Sequence, residues 1–390
     1  MKQVIFTAIL LWLTGCSEKK TSNNDLSIET IPIDIRIATP RADISFMIDT
    51  SYFEIIPLET NDSCLIATVT RMDLVNDKIV VYDEMAQGAY IFNKDGSYHA
   101  TVRAIGNGPG EYPPDIIDIM VSKKYIGVLV PPFGIMLYDF DGKFVKKLSL
   151  EGTWGMNLIT FDDINFYLVN DWSRSDKGNF LLFRLDTENN RVYSYLPSSK
   201  KDIEGKRGWV LDKHYNFHNG KALIYFSTID ILYSLTPEGE VSPQYAIDIV
   251  HNKMPDHIRT GDGHKAMYSS IDYGYILGVH DVVETSRYLC LKIDGDDLVI
   301  YDKKEKQVKI ISYDLFSPLL PYLPIRLRFS MDNPNCVLSY ISGLSGFETK
   351  EYMATKEQGN TRFEKEFRKA LEKIEDDEAN PIVVIIKTKE

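Results

Sequence analysis

Two Asp-Gly turns lying 46 residues apart constrain this chain more than any other feature. Lys78-Ile-Val-Val-Tyr-Asp83 and Gly88-Ala-Tyr-Ile-Phe-Asn93 read as strands, and Lys94-Asp95-Gly96 turns the chain. The arrangement returns with residues 125–130, Gly134-Ile-Met-Leu-Tyr-Asp139 and Phe140-Asp141-Gly142. Asp-Gly between strands is a strong hairpin signal. Weaker copies follow. Phe180 to Leu185 leads into 186–190, Ile231 to Leu235 into 236–239, and Asp297 to Tyr301 into 302–306. A period of about 40–50 residues holding four short strands is a propeller blade.

Five blades can be placed, at 68–103, 115–150, 154–196, 209–249 and 270–313. A sixth takes strands from 325–330, 336–341 and 381–387 and lacks a fourth. Tyr52 to Leu58 is a spare strand ahead of the first blade. Pairing it with the C-terminal strand closes the ring and hides the sheet edges. The predicted fold is all-β: a six-bladed β-propeller closed by an N-terminal strand, with one amphipathic helix inserted in the last blade. That helix spans Thr361 to Asp376. Phe363, Phe367, Ala370, Leu371 and Ile374 fall on one face of it. Packing on its own sixth blade is the favoured reading, and a partner-binding helix the alternative.

The composition agrees. Of 390 residues, 44% are hydrophobic and 26% charged, enough for a large core and too apolar for a disordered tail. Tyr (23) and Phe (18) favour strands. The net charge of -12 excludes a broad nucleic-acid surface, which needs clustered positive charge.

The N-terminus reads as an address. Lys2 precedes an apolar run from Val4 to Leu13, too short to span a bilayer and suited to a secretory signal. Leu13-Thr14-Gly15-Cys16 resembles the lipobox of bacterial lipoproteins. The resemblance implies cleavage before Cys16 and lipid on its thiol. The expected organisation is a signal peptide at 1–15, a lipid-anchored tether at 16–50 and the propeller at 51–390. Cys64, Cys290 and Cys336 remain. Three thiols cannot all pair internally, so a disulfide framework is not expected; buried apolar cysteines are, with one pair left open. Their separation in sequence argues against a thiolate metal site.

Ala104-Ile-Gly-Asn-Gly-Pro-Gly-Glu-Tyr-Pro113 is similar to the inter-blade linker of the six-bladed propeller lipoproteins of Bacteroidetes, themselves similar to NHL-repeat propellers. Ile55-Ile-Pro-Leu-Glu-Thr60 resembles the strand that opens the domain in that family. Val80 to Asp83 followed by Ile91 to Gly96 resembles its first blade. The likeness runs from Tyr52 to Lys387 and is strongest up to Leu148. It implies a lipid-anchored protein of the cell envelope, at the outer membrane, and no particular activity.

Gly106, Gly108 and Gly110 are structural linker residues, expected to take positive φ where the chain doubles back. The segment opens no helix and no Walker Lys follows it, so phosphate binding is not indicated. His214 and His218 have a metal-ligand spacing only on a helix, whereas Tyr215 and Phe217 between them suggest a strand. Asp294-Gly-Asp-Asp297 lacks the other positions of a calcium loop and reads as a hairpin turn. No metal site and no cofactor are therefore assigned.

Two irregular stretches, 198–209 and 251–275, are long loops on a rigid scaffold, where function commonly lives. Trp209, Arg259, Asp262 and His264 are the candidate ligand-binding residues, with Trp154 and Trp172 as further stacking surfaces. No nucleophile–base signature is present, so no catalytic residue is assigned. The favoured function is a membrane-anchored, non-catalytic binding or scaffolding module for an envelope protein or glycan. The alternative is a propeller-type hydrolase or lyase acting on an extracellular glycan or lactone, with Ca²⁺ as an optional cofactor. Acidic residues at equivalent inner-strand positions of several blades would favour the alternative; Asp115, Asp118 and Asp163 are the candidates.

Overall fold

A computed structural model of the chain describes residues 28–38, 46–170, 176–197, 215–226, 229–259, 263–293, 297–311, 328–329, 333–355 and 361–390. Two strands, β1 (Glu29–Ile33) and β2 (Ile48–Pro57), come before the blades. The first blade is β3 (Arg71–Val75), β4 (Lys78–Asp83), β5 (Gly88–Asn93) and β6 (Tyr98–Val102). The second is β7 (Asp118–Val121), β8 (Ile126–Val130), β9 (Gly134–Tyr138) and β10 (Phe144–Leu148). The third is β11 (Asn157–Thr160), β12 (Asn165–Val169), β13 (Phe180–Asp186) and β14 (Arg191–Pro197). The fourth is β15 (Tyr215–His218), β16 (Lys221–Phe226), β17 (Ile229–Leu235) and β18 (Val241–Ile249). Helices α1 (Asp256–Arg259) and α2 (Gly263–Tyr273) intervene. The fifth blade is β19 (Val279–Glu284), β20 (Tyr288–Ile293), β21 (Leu298–Asp302) and β22 (Gln307–Ile311). The sixth holds β23 (Arg328–Phe329), β24 (Cys336–Ile341), helices α3 (Gly343–Ala354) and α4 (Arg362–Leu371), and β25 (Ile382–Thr388).

Each blade is an antiparallel meander running from the inner strand outwards. The sixth is completed from the other end of the sequence: β2 pairs antiparallel with β25, from Phe53 opposite Ile386 to Pro57 opposite Ile382. The ring therefore closes as an all-β six-bladed propeller. Alternation along each strand gives a blade two apolar faces, each buried against a neighbour. Val80, Ile91 and Val102 of the first blade meet Ile119, Val128 and Met136 of the second. On the opposite face, Ile79, Val81 and Phe92 meet Leu338, Val383 and Ile385 of the sixth.

The sequence expectations need three adjustments. The stretch expected as a tether contains β1, which adds a fifth strand to the fourth blade, parallel to β18, with Glu29 beside Tyr245 and Ile33 beside Ile249. The fifth blade starts at Val279 rather than near Ser270, because Ser270 lies in α2. The last blade holds two helices. In α4 the Thr361 hydroxyl caps the N-terminus, accepting from Glu364 N at 3.2 Å. Phe363 packs on Phe53 of β2 with ring centroids 5.1 Å apart. The helix thus rests on its own blade. α3 precedes it, with the Ser342 side chain as N-cap. Cys64, Cys290 and Cys336 are buried as expected, and all three are unpaired.

Candidate functional site

The inner strands bring polar side chains together at the propeller axis. Arg71 and Asp73 stand on β3, Asp118 on β7, Asn157 on β11, and Tyr215 and Asn216 on β15. Arg71 Nε donates to Asp73 Oδ2 at 2.9 Å and Nη1 to Asp118 Oδ1 at 3.2 Å. Its Nη2 donates to the Tyr215 hydroxyl. Asp118 Oδ2 accepts from Leu158 N, the second residue of β11, at 2.8 Å. One guanidinium thus ties the first, second and fourth blades together, and Asp118 adds the third.

The cluster is closed to solvent: Arg71 is 4% exposed, Asp73 1% and Asp118 2%. Burial opposes the charge on Arg71, but Asp73, Tyr215 and Asp118 outweigh it and hold its pKa above the usual arginine range. Burial raises the Asp118 pKa, with Arg71 acting against the rise. Burial also raises the Tyr215 hydroxyl, so it stays protonated. Both carboxylates are engaged by one cation, and no hydroxyl or thiol beside them is activated as a nucleophile.

Of the three carboxylates named as axial candidates, Asp118 alone is at the axis. Asp115 is exposed at φ +79°, with its amide bound to Gln87 Oε1. Asp163 sits in the β11–β12 turn at φ +61°, its amide donating to Thr160 Oγ1 at 3.0 Å. The axial acid that sequence reading missed is Asp73. Its signal was the alternate spacing Arg71-x-Asp73 on the strand that opens the first blade.

The linker 104–113 crosses from β6 to β7. Gly106 N donates to Tyr112 O at 2.9 Å, and Tyr112 N to Ala104 O at 2.8 Å. Gly110 alone of the three glycines has positive φ, +81°. Gly106 and Gly108 serve a different need from the positive φ expected of them. The Glu111 carboxylate folds back to accept from Gly108 N at 2.7 Å, and a Cβ at Gly106 would lie 2.0 Å from its Oε2. The segment is a latch, with the buried Tyr112 hydroxyl donating to Gln87 O at 3.1 Å.

The 251–275 excursion contains α1 and α2. Arg259, the last residue of α1, is buried and donates to Asp230 Oδ1 of β17 at 2.8 Å; Lys253 holds the other oxygen of that carboxylate. Arg259 therefore fixes the excursion to the fourth blade. α2 turns Ala266 and Ser269 inwards and leaves Tyr268, Ile271 and Tyr273 59%, 72% and 68% exposed. His264 falls in the first turn of α2. Trp209, Asp262, Trp172 and Cys16 lie outside the described residues. Trp154 is half-buried between the second and third blades.

His218 lies on strand β15, not on a helix, and its Nε2 faces Asn219 Nδ2 at 2.9 Å. His214 is outside the described residues, as are residues 294–296, whose flanking strands β20 and β21 pair antiparallel. Among the described residues no cluster of His, Cys, Asp and Glu is arranged to hold a metal, and no helix is long and apolar enough to cross a membrane.

Comparison with known proteins agrees with the fold. A Bacteroides fragilis NCTC 9343 protein described as exported superposes with a TM-score of 0.71 at 18% identity, over 93% of this chain and 100% of that one. A DUF4221 family member from Bacteroides vulgatus ATCC 8482 gives 0.48 at 11% identity, over 87% and 96%. Virginiamycin B lyase from Staphylococcus aureus gives 0.41 at 10% identity, over 74% and 81%. No curated protein matches. The first likeness fixes the propeller architecture and accords with the resemblance of the linker and first blade to a propeller family of Bacteroidetes. From residue 29 to residue 387 the chain matches the domain of unknown function DUF4934, and it belongs to that family.

Proposed function

We propose that this propeller is a non-catalytic binding or scaffolding module of the cell envelope, held by lipid on Cys16 at the outer membrane, for a protein or glycan ligand. The observation that carries the reading is the outward face of α2. Tyr268, Ile271 and Tyr273 leave most of their apolar surface in water, on a helix that buries Ala266 against Met254 and Leu277. Large apolar side chains left in water on one short, anchored helix suit an interface. Trp209, Asp262 and His264 are the further residues proposed to touch the ligand. The axial carboxylates fit a structural role, since each gives one oxygen to Arg71 in a closed interior.

The test is affinity purification of the full-length protein from its own envelope. It is run beside a Tyr268→Ser/Ile271→Ser/Tyr273→Ser variant and a Cys16→Ser variant. A stoichiometric partner lost in the triple variant is expected, along with release of the Cys16 variant from the membrane fraction. An unchanged partner profile in the triple variant, or turnover of an envelope glycan by the purified protein, would reject the binding assignment.

A further inference from the structure

The seam that closes the ring carries an acidic ridge between two hollows. The chain leaving α4 (372–381) is joined there to the connection from β2 to β3 (58–70) through Asn380. Asn380 is fully buried. Its Nδ2 donates to Glu59 O at 2.7 Å and Cys64 O at 2.6 Å, and its Oδ1 accepts from Ile66 N at 2.8 Å. Its own N donates to Thr60 Oγ1 at 2.9 Å. From the other side Gly343, which opens α3, comes so close that a Cβ there would lie 1.8 Å from Ala379 O. The ridge is pinned on both flanks.

Glu375, Asp376, Asp377 and Glu378 follow one another along it, all exposed. None of the four makes an ion pair among the described residues. Lys373 precedes them, and Lys350 of α3 gives its Nζ to Ile374 O. Asp377 and Glu378 edge a groove of about 550 Å³ lined on its apolar side by Leu65, Ile66, Val69, Tyr340 and Leu344, with no basic residue in its lining. Leu65 and Leu344 are 43% and 52% exposed, so that side is open to water. Glu375 and Asp376 border a second hollow of about 430 Å³, with Glu59, Asp95 and Lys373. Exposed leucines beside unpaired carboxylates are complementary to a segment that brings an aliphatic side chain and a cation together. A second copy of this chain does not suit the ridge, because a net charge of -12 sets like charges against it.

We propose that the closing seam docks a basic segment of a protein partner. An aliphatic side chain enters the groove at Leu65 and Leu344, and a neighbouring lysine or arginine meets Asp377 and Glu378. The pinned ridge has its shape before the partner arrives, which limits the entropy lost on binding. The surface shares no residue with the α2 face, so it stands or falls separately from the binding role assigned to that helix.

The test is fluorescence anisotropy of a short labelled peptide alternating leucine and lysine, titrated with the full chain. Two control peptides carry serine for leucine or glutamate for lysine. Saturable binding is expected, weaker by about tenfold or more for either control and weaker as salt is raised. Leu65→Ser/Leu344→Ser should weaken it about tenfold. Asp377→Asn/Glu378→Gln should weaken it several-fold and make its salt dependence shallower. Tyr268→Ser/Ile271→Ser/Tyr273→Ser should bind the peptide as the wild type does. If the leucine variant fails to fold by circular dichroism, the carboxamide variant decides alone. No saturable binding, equal binding of the serine peptide, or an affinity unchanged in the carboxamide variant overturns the proposal.

Discussion

Arg71 of the first blade and Tyr215 of the fourth meet across the propeller axis, the guanidinium carbon 4.9 Å from the centre of the tyrosine ring. Blades one and four are opposite members of a ring of six, so this contact spans the channel. Inner strands from several blades lean on one cation there, and the interior at that level is filled by the protein's own side chains.

Arg71→Met should therefore be severely destabilising. It leaves Asp73 and Asp118 buried without their counter-charge, a loss of about 3–5 kcal/mol for a broken buried pair. Adding Asp73→Asn and Asp118→Asn to Arg71→Met should restore a large part of that loss. Urea unfolding followed by circular dichroism checks both; equal stability of the single and triple variants would contradict the charge argument.

Acid should weaken the protein in part through Asp302. Burial works against its charge, but Arg287, with Nε at 3.0 Å and Nη2 at 2.7 Å, and the amides of Lys304 and Glu305 hold its pKa below the usual carboxylate value. A folded pKa below the unfolded one contributes stability at neutral pH. That contribution is lost as pH falls from about 4 through the folded value. Arg287→Gln should flatten this part of the stability–pH curve and leave the rest unchanged. Melting temperatures measured from pH 7 down to pH 2 make the comparison.

The linker latch predicts that two costly glycine substitutions respond differently to a second change. Gly106→Ala should cost about 1–3 kcal/mol, and Glu111→Ala in the same chain should recover much of it, since the clash is with the Glu111 carboxylate. Gly110→Ala should not be recovered this way. Its φ of +81° strains any side chain, and its Cβ would meet Phe144 at 2.7 Å. A double-mutant cycle in chemical unfolding separates the two.

Closure through β2 predicts cooperative loss of the whole domain. Ile56→Asp places a carboxylate opposite Val383 in the sixth blade, at a buried position. It should lower stability by several kcal/mol, on the order of a buried unpaired charge, and do so in a single transition at every probe. Removing residues 1–34 should also cost stability, because Ile31 and Ile33 of β1 are fully buried against the fourth and fifth blades, but it leaves the ring closed. Separate melting of blades one to five after either change would refute ring closure as the source of cooperativity.

How much of this was legible in the sequence depends on distance along the chain. The hairpins were visible because alternation and Asp-Gly turns are local, as in Lys78 to Gly96. Even the ring closure was legible, since Tyr52 to Leu58 was a strand without a blade. β1 was hidden: Glu-Thr-Ile-Pro-Ile is short, carries Pro32, and gains its partner only from a strand over two hundred residues later. α2 was hidden for a different reason. It buries small residues, Ala266 and Ser269, and exposes its large ones, which inverts the pattern that marks a surface helix. The axial cluster combines residues from separate blades, so spacing within one blade discloses the Arg71-x-Asp73 pair and not Asp118 or Tyr215 beside it.

The parallel pairing of β1 with β18 has a directional consequence. Glu29, at the start of β1, sits by Tyr301 and Lys306 beside the β21–β22 turn, whereas the chain leaving β18 beyond Ile249 runs into the excursion that carries α2. Strands laid side by side in the same sense begin on one rim of the disc and finish on the other. Glu29 thus lies on the rim opposite the exposed tyrosines of α2, so a partner held by α2 and one reaching Glu29 would meet opposite faces of the ring.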